Sequence, residues 1–354
     1  MSADWLTYAP APSASELDAA KQLIDAVRSS SFTTSLTEPD AHDFSSFLTT
    51  ATALRYLRAR KFNLKKATAM LTRSVKWRLD NQIHAISCED VERFSTEGKM
   101  WVANKTDKKG RNVLVMDNDK EVPNSTSRKD QMRFLAWNLE RSIRRNRLGR
   151  QIGVASFGKY ATPLKSKQNV DNDDDNDEAG MVEKHVVFIK LDEFKLSTSP
   201  SIGSTLDTID VVCNHYPERL GLAILYRPPK AFNALWSVAK RALDPTTQQK
   251  LLVVSDASPG SAGERDLEER LGPHWREISG IGQPTGTNAA NGWRVSSGYC
   301  HKDVWRLVHL EEEAWRQHVR ASSSKSEDTA ASPAPAPFLS ADDEEAYYSA
   351  EEFL

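Results

Sequence analysis

Two consecutive prolines, Pro228 and Pro229, stand directly behind the apolar run Gly221–Tyr226 and constrain this chain more than any other feature. Proline lacks a ladder donor and forces its predecessor to be extended, so the run reads as a buried strand that ends at a surface. The chain must then leave the sheet. Phe232, Leu235, Trp236, Ala239 and Leu243 recur at three- and four-residue spacing, which places them on one face of a helix. Asp244 and Pro245 start a further helix. Proline suits its first position, and the Asp carboxylate accepts the free amides, leaving Thr247 and Lys250 near a positive helix end that suits a phosphate. A strand, an apolar helix and a capped turn in this order imply a lidded apolar pocket rather than a catalytic cleft.

Several function classes are disfavoured. The chain has no HExxH, no GxSxG and no Walker loop, so an enzyme is not expected. A net charge of -2 argues against nucleic-acid binding. Cys88, Cys213 and Cys300 are far apart with no CxxC spacing, which predicts reduced thiols and no metal site. No apolar run approaches the roughly 18 residues of a membrane span. The amino terminus lacks a basic region followed by a hydrophobic stretch, so a cytoplasmic protein is expected.

With 39% apolar residues, a sizeable core is possible. Residues 1–45 read as a flexible extension with a short helix, Glu16–Arg28, patterned by Leu17, Ile24 and Val27. Residues 46–98 read as a helical module with Leu54, Leu57, Ala67, Met70, Leu71, Val75 and Leu79 inside. Within 99–280, a helix at Arg128–Arg147 buries Met132, Leu135, Leu139 and Ile143 and exposes Arg141, Arg144, Arg145 and Arg147. That basic end suits dipole compensation, solvation or an anionic membrane. The acidic run Asp171–Glu178 marks 148–180 as a disordered insertion. His185–Leu191 reads as a central strand, and Leu206, Ile209, Cys213 and Tyr216 mark a helix on the sheet. Lys250–Val254 reads as another strand, giving an α/β fold with a mixed sheet. Residues 281–320 hold a packing helix with Val304, Trp305, Val308, Trp315 and Val319, and 321–354 form a disordered acidic tail.

These residues resemble the CRAL-TRIO lipid-binding family, within it the phosphatidylinositol transfer proteins. The resemblance rests on YPERLG at 216–221, the following strand and aromatic-bearing helix, and DPTTQQK at 244–250. It extends to LRARKF at 57–62 with Trp77, and to DKKGRNVLVM at 107–116, covering about residues 45 to 275. It implies a helical amino-terminal module, a mixed-sheet lipid-binding domain and a helical lid. By motif, the phosphatidylinositol headgroup falls to Arg60, Lys61, Glu218, Thr247 and Lys250, and Phe232, Leu235, Trp236 and Ala239 to the pocket or lid. Taken singly, the charged residues also suit plain structural roles, such as a Glu218–Arg219 ion pair. The implied cargo is one phospholipid, with no other cofactor, carried by a monomer that meets membranes of the endoplasmic reticulum or Golgi peripherally. Family members that also take phosphatidylcholine have hydroxyls where this chain has Val187 and Ile189, which argues against that second ligand. A sterol carrier or a lipid-regulated scaffold is the rival reading. In the tail, Tyr347, Ser349, Ala350 and Glu352 resemble the short acidic motif read by VAMP-associated proteins, a partner that the resemblance implies.

Overall fold

The structure is a computed structural model and describes residues 11–30, 36–118, 127–151, 183–195, 200–281 and 299–324. The acidic insertion at 171–178 and the tail motif at 347–352 lie outside the described residues.

The amino-terminal helices are α1 (Ala14–Arg28), α2 (Glu38–Phe47), α3 (Thr50–Ala59), α4 (Leu64–Asp80) and α5 (Cys88–Ser95). Ser13 and Glu16 form a reciprocal capping box that starts α1. Ala20, Leu23, Ile24 and Val27 of α1 then share one core with Leu54 and Leu57 of α3 and Met70 and Leu71 of α4. So α1 belongs to the helical module and is not part of a loose extension, and Leu17 faces outward.

The sheet comprises β1 (Met100–Val102), β2 (Val113–Asp117), β3 (His185–Lys190), β4 (Leu220–Tyr226) and β5 (Leu251–Val254), side by side in chain order. β1 pairs antiparallel with β2, and the remaining pairs are parallel. Parallel neighbours need crossovers. These are supplied by α6 (Arg128–Gln151), α7 (Ile202–Asp210), and α8 (Phe232–Ala242) with α9 (Pro245–Gln248). The chain closes with α10 (Ala262–Leu271), α11 (Trp275–Ser279) and α12 (His301–Ser324).

The two sheet faces are filled differently. Val115, Phe188, Ile224 and Val254 point to one side, where Leu267 and Leu271 of α10 and Trp275 and Ile278 of α11 cover them in a closed core. Met100, Met116, Val187, Ile189, Ala223 and Leu225 point to the other and line a cavity.

The basic end of α6 departs from the sequence expectation. Arg141 is buried and its Nε donates to Glu311 at 2.6 Å; Arg145 Nε reaches the other oxygen of the same carboxylate at 2.6 Å. Arg144 pairs with Glu312 at 3.4 Å. These arginines are not an exposed membrane patch, because α12 folds back along α6 and supplies their counter-ions; the side chain of Arg147 lies outside the described residues. Trp305 of α12 completes the contact against Trp137 of α6, with ring centroids 5.6 Å apart. The predicted carboxyl-terminal packing helix is thus present and lies where the spacing of Val304, Trp305 and Val308 put it.

Candidate functional site

The cavity lies between the open sheet face, α6, α7 and α8 and encloses about 1430 Å³ of space free of atoms, its open mouth included. Phe232, Leu235, Trp236 and Ala239 of α8 all line it. Their rings form an aromatic row: Phe232 stacks on Trp236 at 6.0 Å and meets Phe194 edge-on at 5.5 Å. Entry to α8 is a sharp corner, where Arg227 has φ +48° before the two prolines. Its exit is tied down by Gln248 of α9, whose side-chain amide donates to the carbonyls of Lys240 at 3.1 Å and Leu243 at 2.9 Å. The helix is therefore a cover fixed at its start by a backbone corner and at its end by the Gln248 side chain.

At the α9 end the cavity becomes polar. Asp244 Oδ1 accepts from the amides of Thr246 at 2.9 Å and Thr247 at 3.0 Å, and Oδ2 accepts from the Thr247 hydroxyl at 2.6 Å. Burial pushes this carboxyl up, but the Thr247 and Thr246 hydrogen bonds outweigh it and hold the carboxyl below its ordinary range. The first amides of α9 are taken by Asp244, as the Asp244–Pro245 pattern implies. The Thr247 oxygen keeps its lone pairs, and the Lys250 ammonium makes no hydrogen bond or ion pair within the described residues.

Glu218 sits in the turn before β4 at φ +62°, a strained conformation for a residue with a side chain. Its partner is Lys184, whose Nζ donates to Glu218 Oε2 at 3.0 Å and to the Glu218 carbonyl. Burial lowers the pKa of the Lys184 ammonium and Glu218 opposes that shift. The alternative Glu218–Arg219 pair does not form, because Arg219 turns inward to the carbonyl of Glu183 at 3.3 Å. Lys184 escaped the sequence reading. A lysine directly before an apolar strand carried no signal without its partner 34 residues on.

Leu206, Ile209, Cys213 and Tyr216 were expected on one continuous helix; instead α7 widens into a π turn over Val211–His215. Such turns free carbonyls. Those of Asn214 and His215 accept from Ser74 at 2.9 Å and Tyr56 at 3.0 Å, which docks the helical module on this turn. His215 stacks on Trp77 at 4.2 Å, and burial pulls its pKa down to about 4. Asn214 accepts from Arg60 at 3.1 Å, and its neighbour Cys213 lines the cavity. Burial and the nearby Asp244 and Asp210 push the Cys213 thiol up to about 11, while Lys250 and Arg60 act in the opposite direction.

Among the described residues, Thr247 alone of the five expected headgroup residues lines the cavity. Arg60 reaches the wall through Asn214, next to Cys213, while Lys250 directly precedes Leu251 and Glu218 stands two residues before Leu220, both of which line it. Lys61 is exposed at φ +51° and makes no hydrogen bond or ion pair within the described residues. Polar side chains that no motif flagged, Ser204, Thr205 and Thr208 of α7 with Gln131 of α6, line the wall.

Residues 96–272, half of the chain, match the family described as CRAL/TRIO domain. The chain belongs to the CRAL/TRIO family. Residues 18–73 match its amino-terminal domain, which reaches back into α1 as the packing does. The chain is 27% identical over 265 residues to the SEC14 cytosolic factor of Eremothecium gossypii, covering 72% of this chain and 75% of that protein. It is 30% identical over 215 residues to the SEC14 cytosolic factor of Yarrowia lipolytica, covering 57% of this chain and 38% of that protein. A solved structure titled "Crystal structure of Sfh5" aligns at a TM-score of 0.45 and 13% identity, covering 72% of this chain and 84% of that one. Membership in this family and an apolar cavity with a polar mouth make this CRAL/TRIO chain a lipid-binding protein.

Proposed function

We propose that this CRAL/TRIO protein encloses one phosphatidylinositol molecule under α8, with its acyl chains against the open sheet face and its headgroup at the α9 end. It then exchanges that lipid between membranes or presents it to a lipid kinase, working from the cytoplasm at the membrane surface. The supporting observation is an apolar cavity lined at the α9 end by Thr247, with Lys250 in the turn that follows and its ammonium making no hydrogen bond or ion pair within the described residues.

Energetics favour a carrier. Two acyl chains bring on the order of 30 methylenes, and at about 0.8 kcal/mol each the gain matches what a bilayer already offers. Chain burial then drives neither uptake nor release, and selectivity falls to the headgroup. Each charge-assisted hydrogen bond there contributes about 1.5–3 kcal/mol. A wholly apolar cargo would leave the Lys250 ammonium beside a dry chamber with no anion to answer it.

Mass spectrometry of lipid extracted from the purified protein is the test. An inositol phospholipid is expected; a sterol with no inositol lipid would overturn the proposal. In a vesicle transfer assay, Thr247→Asp combined with Arg60→Ala should abolish inositol-lipid transfer and leave the unfolding transition in place.

A further inference from the structure

We infer that the α3–α4 turn, with Phe62 at its tip and Lys65 and Lys66 beside it, is a docking surface for an anionic bilayer. From Arg55 to Leu79 the chain carries nine Lys and Arg residues and no acidic residue, although the whole protein is slightly negative. Other parts of the fold engage most of these cations. Arg55 and Arg58 meet Glu183, Arg73 meets Asp210, Arg78 meets Glu140 and Asp43, and Arg60 meets Asn214. The side chains of Lys65 and Lys66, with neighbouring Lys61, are exposed and make no hydrogen bond or ion pair within the described residues.

Three local features meet at this one tip. Lys61 takes φ +51° as the cap of α3, where its amide and that of Phe62 donate to the carbonyls of Arg58 and Leu57, and Phe62 follows at φ +59°, in a region that bulky residues avoid. Phe62 leaves 39% of its surface in water although apolar cores lie on both sides of the turn. Lys65 and Lys66 occupy the first turn of α4, which holds no acidic residue, so their charge adds to the positive end of the helix dipole. The exposed Phe62 ring and the two lysines at the positive helix end do not stabilise the turn. Together they project an apolar ring inside a ring of positive charge, the pattern that suits the interface of an anionic membrane. Position argues for a membrane over a nucleic acid. Arg60 at the base of the turn is bonded to Asn214, next to Cys213 of the cavity wall, so a bilayer held here lies near the segment that walls the lipid cavity.

This inference rests on the lipid-carrier reading, and its test separates the two. The full-length protein is sedimented with phosphatidylcholine vesicles, with and without phosphatidylserine. Binding is expected on the phosphatidylserine vesicles and should fall roughly 30-fold for Lys65→Ala with Lys66→Ala. Phe62→Ser should reduce it by roughly a further tenfold. Thermal unfolding and the lipid recovered from the purified variants should not change. The inference is overturned if the unsubstituted protein ignores phosphatidylserine, if neither variant binds less, or if the substitutions weaken binding to a single-stranded RNA oligomer as much as to vesicles. Loss of inositol lipid from the unsubstituted protein with vesicle docking intact would instead refute the function and spare the surface.

Discussion

Two basic clusters look alike in the sequence and have opposite fates in the fold. On α6, Arg141, Arg144 and Arg145 are drawn into ion pairs with Glu311 and Glu312 of α12. At the cavity mouth and the nearby α3–α4 turn, Lys250, Lys65 and Lys66 stay without ion pairs within the described residues. The contrast teaches that a run of cations becomes scaffold or binding surface according to where the acids land. Arg141 is at once structural and invisible to solvent; Lys250 is affordable only because the mouth is open.

Substitutions can break this contrast or sharpen it. The largest effect on stability belongs to Glu311→Ala, which strands two guanidinium groups in the interior and should cost about 3–5 kcal/mol in a urea titration. A change under about 1 kcal/mol would mean that the α6 cluster is as free as the mouth. Acid should attack the same side. Burial raises the Glu311 and Glu140 carboxyls, but their arginines outweigh it and hold them down, to about 2 for Glu140. A depressed carboxylate contributes stability above its unfolded pKa, near 4.5, and loses it as pH falls towards the folded value. The unfolding midpoint should therefore drop between about pH 5 and pH 2, and restoring it with Lys250→Ala should fail.

The mouth should answer in binding instead. Lys250→Ala should weaken inositol-lipid uptake by about 1.5–3 kcal/mol, roughly ten- to a hundredfold, in a competition transfer assay. The unfolding curve should move by less than about 0.5 kcal/mol. The smallest effect is expected at the exposed Arg73–Asp210 pair, 2.7 Å apart, where Arg73→Ala should cost no more than about 1 kcal/mol.

Much of the fold was legible. The prolines after β4, the spacing of α8 and the Asp244–Pro245 cap all act within a few residues, and each element formed where those cues placed it. Of the headgroup motif residues the fold brings Thr247 to the cavity wall, and Asp244 takes the first amides of α9 as its cap pattern implies. Lys184 and the π turn were not legible. Glu218 gained a partner from the start of another strand, and the turn at Val211–His215 exists because Tyr56 and Ser74 of the helical module take up its carbonyls.

By itself, then, the sequence determined the order of strands and helices, which faces are apolar, and the chemical types gathered in the headgroup motifs. Hydrophobic spacing and capping are short-range, and a linear reading captures them. Only the tertiary structure decided which charges are neutralised. An ion pair depends on distance in space, and the carboxylate that answers Arg141 lies 170 residues further along the chain. The same holds for the two faces of the sheet: alternation made both apolar, and only the placement of α10 and α11 against one and α8 over the other left one solid and one hollow.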